Sequence, residues 1–166
     1  ADDCAMGGKT GPVAEAMTIL ERLGPARGYY PEPAKSIIIC SPADMAAAKA
    51  ALGRFDFRYQ EGARYVGGFV GTEAAKKAWL QPQIEAWVEG IKALARIALH
   101  YPQAAYAGLS KSLQAEWQYM HRVIDDVGEH FGPIEDALAT IFIPALLGGK
   151  DGDQLRDLFT LPVRQA

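Results

Sequence analysis

Two adjacent carboxylates, Asp2 and Asp3, are of a residue type that supports metal-dependent chemistry. Neighbouring side chains on a straight strand point to opposite faces, but the twist of a tight hairpin lets both carboxylates reach one region. Paired carboxylate oxygens suit a hard cation such as Mg²⁺. The same dipeptide recurs at Asp125–Asp126, where a solvated helix face accounts for it. The pair alone therefore leaves a metal site and an ordinary polar surface both open.

A second motif, Gly8-Lys9-Thr10, matches the end of the phosphate-binding pattern G-x-x-x-x-G-K-[ST]. The first glycine of that pattern falls on Asp3, which would set a carboxylate against the phosphates. The end of a hairpin followed by a helix start, with Thr10 or Gly11 as the cap, explains the segment more simply.

The elements that must position these residues change in character along the chain. Up to about residue 71 the pattern is mixed. It predicts helices over residues 13–24 and 42–52, a buried strand over 36–40, and a hairpin that runs out through Phe55, Phe57 and Tyr59, turns at Glu61–Gly62 and returns over 65–71. The sequence therefore predicts an α+β region.

From Thr72 onward the periodicity is helical. We expect Thr72 to cap a helix with an apolar stripe from Leu80 to Ala98 and a kink or break at Pro82. Further helices are predicted over 103–127, from residue 132 to about 148, and briefly after Lys150. Trp79, Trp87 and Trp117 fall at core spacing, and the three histidines show no ligand spacing.

Composition excludes several classes of protein. The chain has 166 residues, 49% of them hydrophobic and 22% charged, with a formal net charge of -3, so disorder and a strongly basic surface are not expected. Cys4 and Cys40 lack metal-ligand spacing, and no apolar run approaches the ~18 residues of a membrane span. These features favour an intracellular protein of the cytoplasm or nucleus. The first residue is Ala1 and not Met, so we expect a piece of a longer protein.

Three segments in order resemble motifs of reverse transcriptases, with a likeness to retrotransposons that lack long terminal repeats. Ala1-Asp2-Asp3 resembles the end of the family's aromatic-Ala-Asp-Asp motif. Gly28-Tyr29-Tyr30-Pro31-Glu32-Pro33-Ala34-Lys35-Ser36 resembles the next palm motif, in which Lys-Ser or Lys-Thr enters a strand. Tyr65-Val66-Gly67-Gly68-Phe69-Val70-Gly71 resembles the primer-grip hairpin. Two departures are Glu32, where the family usually has Asn, and Val66 for Leu.

The resemblance implies an architecture. Residues 1–71 would form the C-terminal part of a polymerase palm, with short antiparallel strands and helices, and residues 72–166 an all-helical thumb-like bundle. The fingers, the nucleotide-binding part of the palm and the first catalytic Asp would lie upstream of Ala1.

The implied activity is RNA-directed DNA polymerisation, a nucleotidyl transfer by two metal ions on a template with its primer and deoxynucleoside triphosphates. Asp2 and Asp3 would be the catalytic carboxylates and the Mg²⁺ ligands. Without the first Asp, the fragment alone is expected to be inactive. The template, RNA or DNA, is left open, because that choice depends on contacts to the 2'-hydroxyl.

Further roles follow from the same resemblance. Lys35 would lie near the incoming triphosphate, as a point charge or as the acid that protonates pyrophosphate. A strand-edge lysine remains the alternative. Tyr65, Gly67 and Gly68 would form the primer-binding hairpin, for which an ordinary hairpin with a core tyrosine is the alternative.

Contact between the helical part and nucleic acid would use phosphate-neutralising side chains on the first long helix: Lys76, Lys77, Lys92 and Arg96. Residues 54–96 carry seven basic and five acidic side chains, whereas residues 101–166 carry five basic and nine acidic. A duplex is therefore expected against the hairpin and first helix.

One other class of function fits the same sequence. A non-catalytic α+β module, whose helical half binds a partner protein, would make the Asp pair and the glycine hairpin incidental.

Overall fold

The computed structural model describes residues 4–148, so Asp2, Asp3 and the helix predicted after Lys150 lie outside the described residues. The helices are α1 Thr10–Leu23, α2 Met45–Leu52, α3 Glu73–Ala98, α4 Pro102–Gly108, α5 Gln114–Val123, α6 Gly132–Ala137 and α7 Ile143–Leu146. The strands are β1 Ile37–Ile39, β2 Arg58–Gln60, β3 Gly62–Tyr65 and β4 Gly68–Gly71. The predicted α+β fold class is confirmed.

Two compact units divide the described chain. One holds the residues up to Tyr65 together with Phe69–Lys76, and the other holds Val66–Gly68 together with the residues from Lys77 onward. The chain therefore passes from one unit to the other three times, after Tyr65, after Gly68 and after Lys76. We call them the N-terminal unit and the helical unit.

The N-terminal unit contains a β-α-β crossover. Strands β1 and β2 are parallel, with Ile38 opposite Tyr59, and α2 lies between them in the chain, so the expectation of antiparallel strands is wrong for this pair. Parallel strands need such a crossover connection. The unit has a small apolar core, in which Val13, Ala14, Leu20, Ile38 and Tyr59 pack against Met17, Leu52, Phe55 and Phe57. Leu23, at the end of α1, is 42% exposed.

The hairpin consists of β3 and β4, and the predicted turn position is wrong. Residues Val66 and Gly67 make the turn, with φ angles of +46° and +82°, while Gly62 begins strand β3. The predicted outgoing strand is also wrong, because Phe55 and Phe57 are core residues that precede β2, and β2 pairs with β1. Glu61–Gly62 has typical turn residues, whereas a β-branched residue such as Val66 rarely adopts positive φ.

Helix α3 begins as the sequence predicts and continues through Pro82. The Thr72 hydroxyl accepts a hydrogen bond from the Ala75 N–H at 3.3 Å, which satisfies one of the donors that a helix start leaves open. Pro82 lacks an N–H and crowds the preceding turn. The Gln83 side-chain amide donates to the Trp79 carbonyl at 3.1 Å within that region. The helix remains one element, so the predicted break is absent.

Two later helices each contain a π-helical turn. Leu109–Leu113 joins α4 to α5, and Leu138–Phe142 joins α6 to α7. The predicted helix 103–127 ends earlier, at Val123, because Ile124 is extended and Asp126 has a φ of +55°. Asp125–Asp126 is therefore an exposed turn and not the predicted helix face.

The core of the helical unit is built around Trp87 on α3. Its ring meets Trp117 and Phe131 edge to face, with centroids 6.2 and 5.8 Å apart. Its indole N–H donates to the Glu116 carboxylate at 2.8 Å, so the polar atom of a buried ring has a partner. The predicted stripe on α3 is confirmed at the buried Leu80, Ile84, Trp87, Ile91, Ala95 and Ala98.

Candidate nucleic-acid interface

The residues predicted to bind a primer lie together at the end of the β3–β4 hairpin. Tyr65 ends β3, Gly67 is in the turn and Gly68 begins β4. Tyr65 is exposed, and Val66 is 79% exposed. Tyr65 is therefore not a core tyrosine and offers an aromatic surface, whereas Gly68 is buried and Gly67 is only partly exposed.

Lys35 lies just before β1, in the short 3-10 turn Pro33–Lys35. Its ammonium group forms an ion pair with the Glu32 carboxylate at 2.5 Å, and both side chains are exposed. The Arg58 guanidinium donates to the Lys35 carbonyl at 2.9 Å, which ties this turn to β2. Glu32, the departure from the family pattern, thus supplies the counter-charge of Lys35.

Lys76 and Lys77 lie near the start of α3 but differ in solvent exposure. The Lys76 side chain is 12% exposed and forms an ion pair with Glu73 at 2.8 Å, whereas Lys77 is exposed. A phosphate needs a cation that it can reach and that is not already neutralised. Of this pair, Lys77 is better placed to contact nucleic acid.

Lys92 and Arg96 lie further along α3 at the edge of a shallow groove. Ala95, Leu99, Ile141 and Ala145 form its apolar lining. Lys92 forms a hydrogen-bonded ion pair with Glu89 at 2.7 Å. That hydrogen bond and the charge of Lys92 lower the pKa of Glu89, and the charge of Arg96 lowers it further. The two cations are therefore partly compensated by a neighbouring carboxylate.

The proposed metal ligands, Asp2 and Asp3, lie outside the described residues. Within residues 4–148, no group of three or more His, Cys, Asp or Glu side chains is arranged to hold a metal ion. Carboxylate oxygens are suitable donors for Mg²⁺, so Asp2 and Asp3 fit the ion chemically.

Two contacts near these residues were not predicted from the sequence. Arg58 binds the backbone of Lys35, as described above, and Tyr119 on α5 packs against Gly67. For Arg58 the sequence gives only a weak indication of such a contact, namely a basic residue at the start of a short strand. Tyr119 lies on the polar face of its helix, where the sequence gives no signal of a tertiary contact.

Comparison of the chain with protein-family models, with curated proteins and with solved structures gives no match. Among the helices of the described part of the chain, none is long and apolar enough to cross a membrane. The α+β architecture and the exposed hairpin tip are thus the features on which a function has to be argued.

Proposed function

We propose that this chain is the C-terminal palm and thumb part of a reverse transcriptase-like polymerase from a retroelement, acting inside the cell. The observation that carries the proposal is the exposure of Tyr65 and Val66 at the tip of the β3–β4 hairpin, which is followed at once by the capped helix α3. A hairpin and then a helical region is the order that the resemblance implies.

The hairpin would contact the primer strand. The exposed Tyr65 ring offers an aromatic face to the sugar-phosphate backbone, whereas Gly67 lies against Tyr119 and Gly68 is buried, so the two glycines shape the turn that carries Tyr65. Contacts of this kind position a primer without reading its sequence. They suit an enzyme that must accept any primer terminus.

Helix α3 would contact phosphates of the primer–template through Lys77, with Lys92 and Arg96 as further cations. Electrostatic contacts to phosphates release counterions and make affinity fall with salt. Lys77 should contribute more than Lys76, because Lys76 is largely covered and paired with Glu73.

The chemistry of the longer parent would be nucleotidyl transfer. Mg²⁺, when bound by Asp2, Asp3 and an upstream Asp, would activate the primer hydroxyl and stabilise charge on the leaving pyrophosphate. Lys35 would supply a positive charge near the triphosphate once that charge is freed from Glu32. The chain on its own is expected to bind nucleic acid and not to extend it.

The test compares Lys77→Gln with Lys111→Gln, an exposed lysine of the π-helical turn Leu109–Leu113. Fluorescence anisotropy with a labelled primer–template duplex at several salt concentrations gives affinity and salt slope. We expect Lys77→Gln to weaken binding about threefold to tenfold and to lower the slope by about 1, with no change for Lys111→Gln.

Equal affinities and salt slopes for the two variants would show that Lys77 does not contact the nucleic acid. No binding by the parent chain at low salt would count against a nucleic-acid function and favour the protein-interaction module. The coding sequence upstream gives an independent check, because the proposal requires an aromatic residue directly before Ala1 and an Asp in an earlier hydrophobic strand.

A further inference from the structure

The turn of the hairpin packs against a side chain from a helix more than fifty residues later in the sequence. A methyl group placed at Gly67 would overlap the Tyr119 hydroxyl and would lie 3.3 Å from the ring carbon Cζ. Val66, Gly67 and Gly68 belong to the same compact unit as Tyr119. Only a residue without a side chain fits at Gly67 while the phenol keeps its position.

Tyr119 is mounted on a well-anchored part of α5. Two residues earlier, Trp117 is buried and meets Trp87 edge to face. Three residues earlier, the Glu116 carboxylate accepts the hydrogen bond from the Trp87 indole. These contacts fix the rotation of α5, and the Tyr119 ring, itself 45% exposed, is held at the surface of the helical unit.

The turn itself needs such support. Val66 has a φ of +46°, a region in which a β-branched residue is an outlier, and its side chain is 79% exposed and gains little from packing. Strained backbone of this kind persists only where surrounding contacts determine it. Among the described residues, the contact between Tyr119 and Gly67 can hold the turn in this conformation.

We propose that Tyr119 is a positioning residue that holds the turn Val66–Gly67 and thereby sets the direction of Tyr65, the aromatic group offered to the primer strand. This inference rests on the proposed function for its link to nucleic acid, but the contact between Tyr119 and the turn stands without it. The hydroxyl end of the ring makes the contact, since the hydroxyl oxygen and Cζ are the Tyr119 atoms nearest to the Cβ position of Gly67.

The test uses Tyr119→Ala, Tyr119→Phe and the control Tyr106→Ala, which removes a similarly exposed tyrosine from α4. Amide hydrogen exchange over residues 65–69 reports the turn directly. We expect exchange there to be about tenfold faster in Tyr119→Ala, because opening of the turn becomes local and easier, with a smaller increase in Tyr119→Phe, which keeps the ring, and no change in Tyr106→Ala.

A second measurement separates positioning from general stability. Primer–template affinity is measured for Tyr119→Ala in the parent chain and in a Tyr65→Ala background. We expect a loss of about threefold to tenfold in the parent chain and no further loss when Tyr65 is absent, as for two residues that act through one contact.

The outcomes distinguish the two proposals. Unchanged exchange over 65–69 in Tyr119→Ala would overturn the positioning role, whatever happens to affinity. Faster exchange in a chain that binds no nucleic acid would support the contact and overturn the proposed function. An equal loss of affinity in the Tyr65→Ala background would show that Tyr119 does not act through Tyr65.

Discussion

Tyr59 shows how one polar atom in a small core affects stability. Its ring packs in the core of the N-terminal unit, and its hydroxyl is covered without a hydrogen-bond partner among the described residues. Burial of the phenol raises its pKa above the ordinary 10.0, and the nearby Cys40 adds to the shift. A buried donor without a partner costs stability.

Replacing Tyr59 with Phe should therefore leave the free energy of unfolding unchanged or raise it by up to about 1 kcal/mol. The pH dependence should also change. A raised pKa means that the folded state holds the proton more tightly, so this contribution is complete below pH 10.0 and is lost as pH rises through the folded pKa. Urea unfolding at increasing alkaline pH should show a shallower decline for Tyr59→Phe.

The exposed Tyr30→Phe serves as a matched control and should unfold like the parent chain at every pH. A Tyr59→Phe variant that is destabilised by more than about 1 kcal/mol would mean that the hydroxyl does have a partner.

The elements show which parts of the fold the sequence could predict. The stripe on α3, the Thr72 cap and the strand around Ile38 were predictable, because periodicity, capping and β-branched runs are local signals. The hairpin turn was not, because a β-branched residue such as Val66 gives no local signal of the positive φ that it has here. Likewise, α2 begins at Met45 and not near Ser41, since Ser41 and Asp44 bind each other in a turn.

The same limit applies to the candidate site. The cluster Tyr65, Gly67 and Gly68 was predictable from consecutive residues. The pairing of Lys35 with Glu32 and the covering of Lys76 depend on side-chain conformations that no spacing specifies.

At the level of a single helix, Thr72→Ala should lower the free energy of unfolding by about 1 kcal/mol, because an N-cap hydroxyl is lost. Thr140→Ala is the control, since the Thr140 hydroxyl donates back to the Asp136 carbonyl at 2.6 Å inside a helix. That bond adds little to helix stability, so Ala should be tolerated there. Thermal unfolding followed by circular dichroism measures both, and equal losses would contradict a capping role.

The whole chain combines regions of different charge. The formal net charge of -3 averages a mildly basic stretch, residues 54–96, with an acidic one, residues 101–166. Within the basic stretch, Lys76 and Lys92 are both engaged by carboxylates, so fewer cations are available to contact a phosphate. Electrostatic attraction to a nucleic acid would therefore depend on a few cations, and it would be sensitive to each of them.

The division into two units predicts where the chain can be truncated without loss of contacts in the N-terminal unit. Residues 72–76 belong to the N-terminal unit although they lie in the capping segment and first turn of α3. Within that unit, the Thr72 N–H donates to the Glu61 carbonyl at 2.8 Å, and a methyl group at Gly62 would lie 3.0 Å from the Ala75 side chain. A polypeptide ending at residue 71 loses these contacts, whereas one ending at residue 76 keeps them.

We therefore expect the 1–76 polypeptide to unfold with a sharper urea transition than the 1–71 polypeptide, because it retains more buried surface. Indistinguishable transitions would contradict this. The boundary predicted from the motifs falls after residue 71, and the boundary between the two compact units falls after Lys76, five residues later.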